Sequence, residues 1–548
     1  MPDDGTATLT VTVGEALVEV LEAHGVELGF GVISLHNMPV LDAILRRPPG
    51  IRFIPARGEA GAMNMADAAT RVSGRPALCL TSTGTGAGNA MGALIEALTA
   101  GTPLIHLTGQ IDTPWLDRGW GFIHEAKDQL AMLRACGKAA FRVSRPEEAR
   151  AVLREALRVA LTAPAGPVSV EIPIDIQQAP CPPGDVSPLP LPVLAPDARA
   201  LAAARALLAA ARRPVLLAGG GARHAGEAVA AFAAAGVPVV TSVNGRGVIA
   251  EDHPACLGAF ATSPSVAALL AESDCLIVAG SRLRSNETRT YGITLPRTLI
   301  RIDADPAASG RGYPEGLLLV ADAALALSAL ADAARPEAGW LARGTAAREA
   351  AVARTKQEAG AYAALIEALA ARFPKHAPWV RDITLSNSIW GNRLPPLSDP
   401  RQGVHALGGG IGQGLQHAIG AALARPGVKT VALCGDGGFM LNPGELATAV
   451  EAGCDLMLLL MNDGGYGVIR NIQDAAYGGR HGFTDLMNPD FAALVRAFGA
   501  RHAKAGDAAS LGAAMDAALS RRGVDVIEVD MAAFGSFGIS FAGPPKTT

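Results

Sequence analysis

Residues 431–467 read VALCGDGGFMLNPGELATAVEAGCDLMLLLMNDGGYG, and they contain two apolar runs that each end in small and acidic residues. The first run ends at the tetrapeptide GDGG (435–438), and the second ends at NDGG (462–465). Between them, Asn442 and Pro443 predict the start of a helix, because Asn caps helices well and Pro suits the first helical turn. A strand, a helix and a second strand in this order predict an α/β unit built on a parallel sheet.

The same alternation of strands and helices runs through the rest of the chain, in three blocks. Residues 180–196 hold seven prolines and cannot form a regular element, and residues 334–360, rich in Ala, Arg and Glu, predict a helical connector. We therefore expect an α/β fold with three doubly wound parallel-sheet domains, at residues 1–180, 190–335 and 355–548. The predicted strands are RFIPA, PALCLTS and PLIHLTG in the first block, RPVLLAGGG, VPVVTS, DCLIVAGS and TLIRIDADP in the second, and VKTVALCGDGG, DLMLLLMND and VDVIEVD in the third.

The composition excludes several classes of protein. Hydrophobic residues make up 49% of the 548 residues and charged residues 18%, which is typical of a globular protein with more than one core. The net charge of −4 gives no reason to expect a nucleic-acid partner. The seven cysteines form no CxxC pair, so we expect no zinc site, no disulfide framework and a cytoplasmic protein. The acidic start MPDDGTATLT is unlike a signal peptide, and the longest aliphatic runs are too short to cross a membrane.

The two acidic tetrapeptides predict a site for a metal and a phosphate. The carboxyl ends of neighbouring parallel strands meet at one edge of a sheet, so Asp436 and Asp463 are expected at the same edge. Carboxylates and a nearby carbonyl are hard oxygen ligands that suit Mg²⁺, and glycines let backbone N–H groups approach a phosphate. Either residue alone would be interpreted as a turn residue at a strand end. The complete order of strand, GDG, helix, strand and Asn-Asp favours the metal site.

This ordered set resembles the thiamine diphosphate motif of the superfamily that includes acetolactate synthase, benzoylformate decarboxylase, pyruvate decarboxylase and benzaldehyde lyase. Asp463, in the Asn-Asp pair, follows Asp436 by 27 residues. The resemblance implies a pyrimidine-binding N-terminal domain, a central Rossmann-like domain and a C-terminal domain that binds diphosphate and Mg²⁺. It also implies that the side chains of Asp436 and Asp463 and the carbonyl of Gly465 hold the metal. The usual motif has a second Asn at the position of Asp463.

The resemblance also implies which residues contact the cofactor. Arg57-Gly58-Glu59 matches a common Arg-His-Glu segment of the family, so Glu59 is expected to act on the aminopyrimidine ring of the cofactor. The alternative is that Glu59 only stabilises the start of the following helix through its charge. The segment HALGGGIGQGLQHAIG implies that Ile411 is the wedge under the cofactor and that Gly409 offers a carbonyl. The remaining residues expected to line the cofactor site are Gly435, Gly437, Gly438, Gly465 and Tyr466.

Three polar residues of the first block are candidates for contact with the substrate. His36 lies in SLHNMPV (34–40), Gln110 ends the segment LTGQ, and His124 lies in GFIHEAKDQ (121–129). By the resemblance, Gln110 matches a common Gln near the active site, and His124 stands where acetolactate synthases usually have Gln. A loop histidine such as His36 is more often structural, and His124 could either shuttle protons or pack at a subunit interface.

The resemblance leaves the middle domain and the reaction partly open. Acetolactate synthases bind FAD in this domain, and Arg282 and the segment DADP fit that site loosely, while several relatives bind no flavin. Because the family's ligands come from the first and third domains of different subunits, a homodimer or homotetramer with active sites at the subunit interface is implied. The implied activity is that of an acetolactate-synthase-like C–C lyase or carboligase acting on a 2-oxo acid or related carbonyl. The alternatives are a simple 2-oxo acid decarboxylase and a cofactor-binding homologue without turnover.

Overall fold

The structure is a computed structural model, and it describes residues 11–543. The segment MPDDGTATLT, on which the expectation about a signal peptide rests, lies outside the described residues. The described chain forms two compact units, one that ends at Pro192 and one that begins at Val193. Together the units hold three six-stranded parallel sheets, which confirms the predicted fold class. No helix within residues 11–543 combines the length and the apolarity that crossing a membrane requires.

The first unit is built on one parallel sheet with the strand order β3-β2-β4-β5-β7-β6. Two further short strands, β1 and β8, form a separate antiparallel pair. The strands of this unit are β1 (Val11–Thr12), β2 (Leu28–Gly31), β3 (Arg52–Pro55), β4 (Leu78–Thr81), β5 (Ile105–Gln110), β6 (Ala139–Arg142), β7 (Val168–Pro173) and β8 (Pro180–Cys181). The helices are α1 (Val13–Ala23), α2 (Met38–Leu45), α3 (Glu59–Ser73), α4 (Thr85–Asn89), α5 (Met91–Ala100), α6 (Gln129–Cys136), α7 (Ala149–Leu161) and α8 (Ile174–Gln178).

The second unit begins with the middle sheet, whose strand order is β11-β10-β9-β12-β13-β14. The proline-rich stretch before it, residues 182–197, holds neither helix nor strand. The strands are β9 (Pro214–Ala218), β10 (Val239–Thr241), β11 (Cys256–Gly258), β12 (Cys275–Ala279), β13 (Leu299–Asp303) and β14 (Leu317–Val320). The helices are α9 (Ala198–Ala210), α10 (Gly226–Ala234), α11 (Pro264–Glu272) and α12 (Ala323–Leu330).

A long helix, α13 (Trp340–Ala359), follows the middle sheet, where a helical connector is predicted. It is not a free spacer. Its first residue, Trp340, is fully buried, and the indole Nε1 donates a hydrogen bond to the carbonyl of Pro214 at 2.9 Å. The connector is therefore packed onto the middle domain.

The third sheet completes the second unit, with the strand order β16-β15-β17-β18-β20-β19. The strands are β15 (Trp379–Arg381), β16 (Gly403–His405), β17 (Thr430–Gly435), β18 (Leu456–Asn462), β19 (Arg501–Ala505) and β20 (Val524–Asp530). The helices are α14 (Ala363–Arg372), α15 (Gly414–Ala424), α16 (Asp436–Phe439), α17 (Glu445–Glu451), α18 (Gly467–Tyr477), α19 (Phe491–Ala497), α20 (Ala508–Leu519) and α21 (Met531–Phe534). In β18, LMLLLM is buried along its whole length, which a strand covered by helices on both faces requires.

The predicted start of the helix between the two motifs is wrong by a few residues. The chain turns at once into the short helix α16 after β17, and the longer helix α17 begins only at Glu445, with Gly444 as its N-cap. The Asn442 side chain donates instead to the carbonyl of Gly412 at 3.2 Å. Asn442 therefore anchors the loop at Gly412 rather than capping a helix.

Candidate active site

Two carboxylates lie at one edge of the third sheet. Strands β17 and β18 are parallel neighbours with Gly435 beside Met461, so Asp436 and Asp463 follow them at the same edge. Asp436 is completely buried. Burial and the Asp436 carboxylate raise the pKa of Asp463 to about 7. Asp463 is half-buried, and Arg470, whose guanidinium lies 3.5 Å from Asp463 Oδ1, opposes this rise in its pKa. Repulsion between the two carboxylates would be relieved by a cation bound between them.

The oxygen atoms around this pair fit a hard cation. Asp436 Oδ1 is buried and has no hydrogen-bond partner among the described residues. The Gly465 carbonyl is turned toward the same place, because a Cβ built on Gly437 would lie 3.1 Å from that oxygen. Within residues 11–543 there is no group of three His, Cys, Asp or Glu side chains that could hold a metal. Two carboxylates and one carbonyl fit Mg²⁺, which completes its shell with water and phosphate oxygens.

The glycines of the GDGG turn are packed on both sides. A Cβ on Gly437 would lie 2.7 Å from the Tyr466 ring, and a Cβ on Gly438 would lie 2.8 Å from Asp382 Oδ2. Beside the turn is a cavity of about 470 Å³, whose lining includes Gly409, Ile411, Asp436, Gly465 and Tyr466. The residues predicted to bind cofactor in the third domain thus line one cavity with room for a diphosphate group.

A buried carboxylate, Asp382, braces the loop that carries Ile411. Its Oδ2 accepts hydrogen bonds from the backbone N–H groups of Gly412 at 3.0 Å and Gly414 at 3.3 Å. Burial raises the pKa of Asp382, although the backbone N–H groups oppose this. The loop leaves the Ile411 side chain 40% exposed. Gly409 has a φ of +85°, a conformation that favours glycine.

A second loop passes over Gly465. The N–H of Tyr466 donates to the carbonyl of Thr484 at 2.8 Å, and the N–H of Leu486 donates to the carbonyl of Gly464 at 3.1 Å. Gly465 has a φ of +149°, and a Cβ there would collide with the Thr484 carbonyl. The backbone around the expected third metal ligand therefore requires glycine.

We expect Gly465→Ala to lower the free energy of unfolding by about 2 kcal/mol and to weaken any Mg²⁺ binding at the expected metal site, because the loop must move away from it. Gly464→Ala is the matched control, since φ is also positive there (+75°) but a Cβ would meet no atom within 4 Å. Chemical denaturation and calorimetric Mg²⁺ titration measure both effects. Equal losses in the two variants would contradict this account of Gly465.

In the first unit, Glu59 is the first residue of α3 and follows β3. The Asn89 side-chain amide donates to Glu59 Oε2 at 3.1 Å, and a Cβ on Gly86 would lie 3.2 Å from Oε1. A Cβ at Gly58 would meet no atom of the described residues within 4 Å. The Glu59 carboxyl is therefore held in place by Asn89. The space beside Gly58, where the family commonly has His, is open.

His36 and His124 come together in this unit. Their rings lie 5.3 Å apart in an edge-to-face arrangement. His36 is only 2% exposed, and burial, followed by the charge of His124, lowers its pKa against the opposing effect of Asp112. His124 is exposed and has a φ of +66°, which is uncommon for a residue other than glycine. A strained, exposed imidazole beside a buried one is an arrangement often found at functional sites.

Gln110 lies at the end of β5 and is 2% exposed. Its Oε1 accepts hydrogen bonds from Thr83 Oγ1 at 3.0 Å and from the N–H of Ile111 at 2.8 Å. Gln129 supports the same turn, because its Oε1 accepts from the N–H of Gly84 at 2.7 Å. The Gln110 side chain is thus engaged inside the fold, and this geometry favours a positioning role.

The middle domain also borders a cavity, of about 460 Å³, beyond the carboxyl ends of its strands. Ser281 and Leu283, which flank Arg282, lie in its wall together with Asn387 and His405 of the third domain. Asn387 begins a π-helical turn (Asn387–Gly391). The resemblance gives the middle domain a possible flavin, but neither Arg282 nor the DADP segment lines this cavity.

Three family models match the chain. They are the thiamine pyrophosphate enzyme N-terminal TPP binding domain at residues 11–132, the central domain at residues 201–330 and the C-terminal TPP binding domain at residues 385–529. The chain belongs to the thiamine pyrophosphate enzyme family. Thiamine pyrophosphate is another name for thiamine diphosphate, so the predicted superfamily and its organic cofactor are confirmed.

Similar curated proteins belong to two groups of thiamine pyrophosphate enzymes. The chain is 34% identical to a probable 2-ketoarginine decarboxylase of Pseudomonas aeruginosa, over 95% of this chain and 94% of the relative. It is 31% identical to the acetolactate synthase isozyme 2 large subunit of Escherichia coli, over 88% and 89% of the two chains. It is 30% identical to the acetolactate synthase large subunit of Corynebacterium glutamicum, over 89% and 82%. The predicted class of enzyme, a thiamine diphosphate-dependent carboligase or decarboxylase, is confirmed.

Some residues of this thiamine pyrophosphate enzyme lie beside the predicted site residues and were missed in the sequence. Asp382, directly after β15, could have been found by the strand-end rule that points to Asp436. Asn488 and Gln129 lie in segments without a strong pattern, and only the folded chain brings them to the site.

Proposed function

We propose that this thiamine pyrophosphate enzyme binds Mg²⁺ with its cofactor and breaks and forms C–C bonds at the carbonyl carbon of a 2-oxo acid, as a carboligase of the acetolactate synthase type. The observation that carries the proposal is the pair of neighbouring carboxylates at the GDGG turn, in which the buried Asp436 Oδ1 has no partner among the described residues. Similarity to acetolactate synthase large subunits supports the same function.

The third domain would bind the diphosphate and the metal. The side chains of Asp436 and Asp463 and the carbonyl of Gly465 would hold Mg²⁺, and the glycine N–H groups of the turn would bind phosphate oxygens. Ile411, exposed to the cavity, would support the bent cofactor. The carbonyl of Gly409 would accept a hydrogen bond from the amino group of the cofactor. Bound thiamine diphosphate supplies the electron sink that C–C cleavage beside a carbonyl requires.

The first domain would supply proton transfer. Glu59 would hold a proton between its carboxyl and the pyrimidine nitrogen, while the Asn89 amide keeps Oε2 in place. His36 would face the substrate as a neutral imidazole, because burial lowers its pKa. His124 would exchange protons with solvent.

The second candidate function is a 2-oxo acid decarboxylase that releases an aldehyde. The observation that favours it is the 34% identity to a probable 2-ketoarginine decarboxylase over nearly the whole of both chains. Both candidates release CO₂, and they differ in the fate of the carbon fragment that remains after CO₂ has left. A panel containing pyruvate and 2-ketoarginine, each with and without a second carbonyl compound, separates them.

In that panel the carboligase predicts CO₂ release together with a ligated hydroxyketone product. Release of CO₂ with stoichiometric free aldehyde, unaffected by the acceptor, would support the decarboxylase. Binding of thiamine diphosphate without CO₂ from any acid would overturn both and leave the homologue without turnover.

We also propose that the active enzyme is a homodimer or homotetramer whose active sites combine Glu59 of one subunit with the metal site of another. The family resemblance supports this arrangement.

A cytoplasmic location is proposed as well, supported by seven cysteines that are all free thiols. The proposal of FAD in the middle domain rests only on the resemblance and on the cavity beside Arg282, and the visible absorption spectrum of the purified protein tests it.

Shared active sites predict complementation between two inactive variants. Glu59→Gln and Asp436→Ala are each expected to be inactive, but a heterodimer of the two has one intact site and should show about half of the wild-type activity. Purification through two different affinity tags, followed by a CO₂ assay, measures it. If each site lay within one subunit, every site would carry a defect and no activity would return.

A further inference from the structure

The side-chain amide of Asn488 contacts the carboxylate of Asp436, an expected metal ligand. Its Nδ2 donates to Asp436 Oδ2 at 2.6 Å and to Asn462 Oδ1 at 3.2 Å. Both neighbours are acceptors, so the NH₂ group of Asn488 must face them. The bond to the carboxylate is charge-assisted and short, which is the stronger kind of hydrogen bond. It engages Oδ2 and leaves Oδ1 of Asp436 buried and free of partners among the described residues.

The orientation of Asn462 is fixed in turn by its own neighbours. Its Nδ2 donates to Glu528 Oε1 at 2.9 Å, and its Oδ1 accepts from the N–H of Gly464 at 3.2 Å. Glu528, on β20, pairs through Oε2 with His502 Nε2 at 2.9 Å, on the edge strand β19. A chain of hydrogen bonds therefore runs from the edge of the sheet through Glu528, Asn462 and Asn488 to the Asp436 carboxylate.

We propose that Asn488 is a positioning residue for the metal: it holds Oδ2 of Asp436 so that Oδ1 points to Mg²⁺, and Asn462 and Glu528 fix Asn488 in that role. The inference rests on the metal site of the proposed function. It also gives Asn462, the first residue of the Asn-Asp pair, the role of a support for Asn488.

Asn488 belongs to the segment between α18 and α19, which also contacts the Gly465 loop. A purely structural role would be to anchor that segment, and its loss would then lower stability. A purely structural role would leave the Mg²⁺ affinity of the folded variant unchanged, whereas a positioning role predicts weaker Mg²⁺ binding by the folded variant. The two roles therefore differ in a measurement that needs no catalysis.

The test compares Asn488→Leu, which keeps the shape but removes the donor, with Asn488→Ala, which removes the donor without adding bulk. Met487→Ala is the matched control, because Met487 is the preceding residue and its side chain is 99% exposed. Mg²⁺ is titrated by calorimetry into full-length protein premixed with thiamine diphosphate, with a blank titration of the cofactor alone. The melting temperature of each metal-free protein is recorded beside it.

Both Asn488 variants are expected to weaken Mg²⁺ binding about tenfold or more, as loss of an outer-shell partner does at metal sites. The Met487→Ala titration should match the wild type, and the metal-free melting temperatures should show that both Asn488 variants are folded at the temperature of the titration. A folded Asn488→Ala protein that binds Mg²⁺ within about twofold of the wild type would overturn the inference. A wild-type protein that binds no Mg²⁺ in the presence of cofactor would instead overturn the proposed metal site.

Discussion

Replacing Glu59 by Gln is expected to lower kcat by about 10²- to 10⁴-fold while the protein stays folded and binds thiamine diphosphate. The amide has nearly the same shape as the carboxyl, and it can still contact Asn89, which lies 3.1 Å from Oε2. It cannot exchange a proton with the pyrimidine nitrogen. Steady-state CO₂ release with the best 2-oxo acid, together with calorimetric cofactor titration, measures both parts of the expectation.

The alternative role of Glu59 gives a different result. If its charge only stabilises the N-terminus of α3, the substitution costs about 0.3–1 kcal/mol of stability and leaves kcat unchanged. Glu27→Gln is the matched control, since Glu27 is an exposed carboxylate of the same unit that pairs only with Arg75 among the contacts described. Full activity in Glu59→Gln would rule out its catalytic role.

Replacing Asp436 by Ala is expected to abolish the binding of Mg²⁺ and, with it, the stabilisation that the cofactor gives. A ligand at 100 times its Kd stabilises a folded protein by about 2.7 kcal/mol, and this increment should disappear. The metal-free protein should be as stable as the wild type or more so, because one of two neighbouring like charges is removed and the half-buried Asp463 is relieved of its neighbour. Thermal melts with and without thiamine diphosphate and Mg²⁺ show both effects.

Asp485→Ala is the control for loss of a negative charge near the site, because the Asp485 side chain is mostly exposed and lies on the loop over Gly465. It should keep the full cofactor-induced shift in melting temperature. An Asp436→Ala protein that showed the same shift as the wild type would contradict the assignment of Asp436 as a metal ligand.

The elements that the sequence predicted well are those with the simplest physical pattern. Every strand named in the sequence was found, because long apolar runs such as LMLLLM can only be buried between layers of helices. Strands such as β19, RHAKA, were missed because an edge strand carries charged residues and has no apolar run. The helix start at Asn442 was wrong because a glycine turn can continue directly from a strand into a helical turn.

The candidate site was predicted where its residues share one motif and missed where they do not. Asp436, Asp463 and Gly465 lie within one strand–helix–strand segment, so spacing alone brings them to one edge. Asp382 and Asn488 approach that edge from distant parts of the chain. Their contacts depend on tertiary packing, which the pattern of a single sequence does not reveal.

The pairing of His36 with His124 could not be predicted for the same reason. The two residues are far apart in the sequence, and the rings meet where the chain has a positive φ at His124. A hydrophobic pattern predicts buried strands and helices well, but it carries no information about a loop held in a left-handed conformation.

The most direct test of the central claim is CO₂ release from a 2-oxo acid by protein stripped of metal and cofactor and then reconstituted. We predict no release from the stripped protein, none with thiamine diphosphate or Mg²⁺ alone, and full turnover when both are added. The Asp436→Ala protein should stay inactive under all four conditions. Turnover by the stripped protein, or by Asp436→Ala, would show that the chemistry does not depend on the metal site at the GDGG turn and would contradict the account.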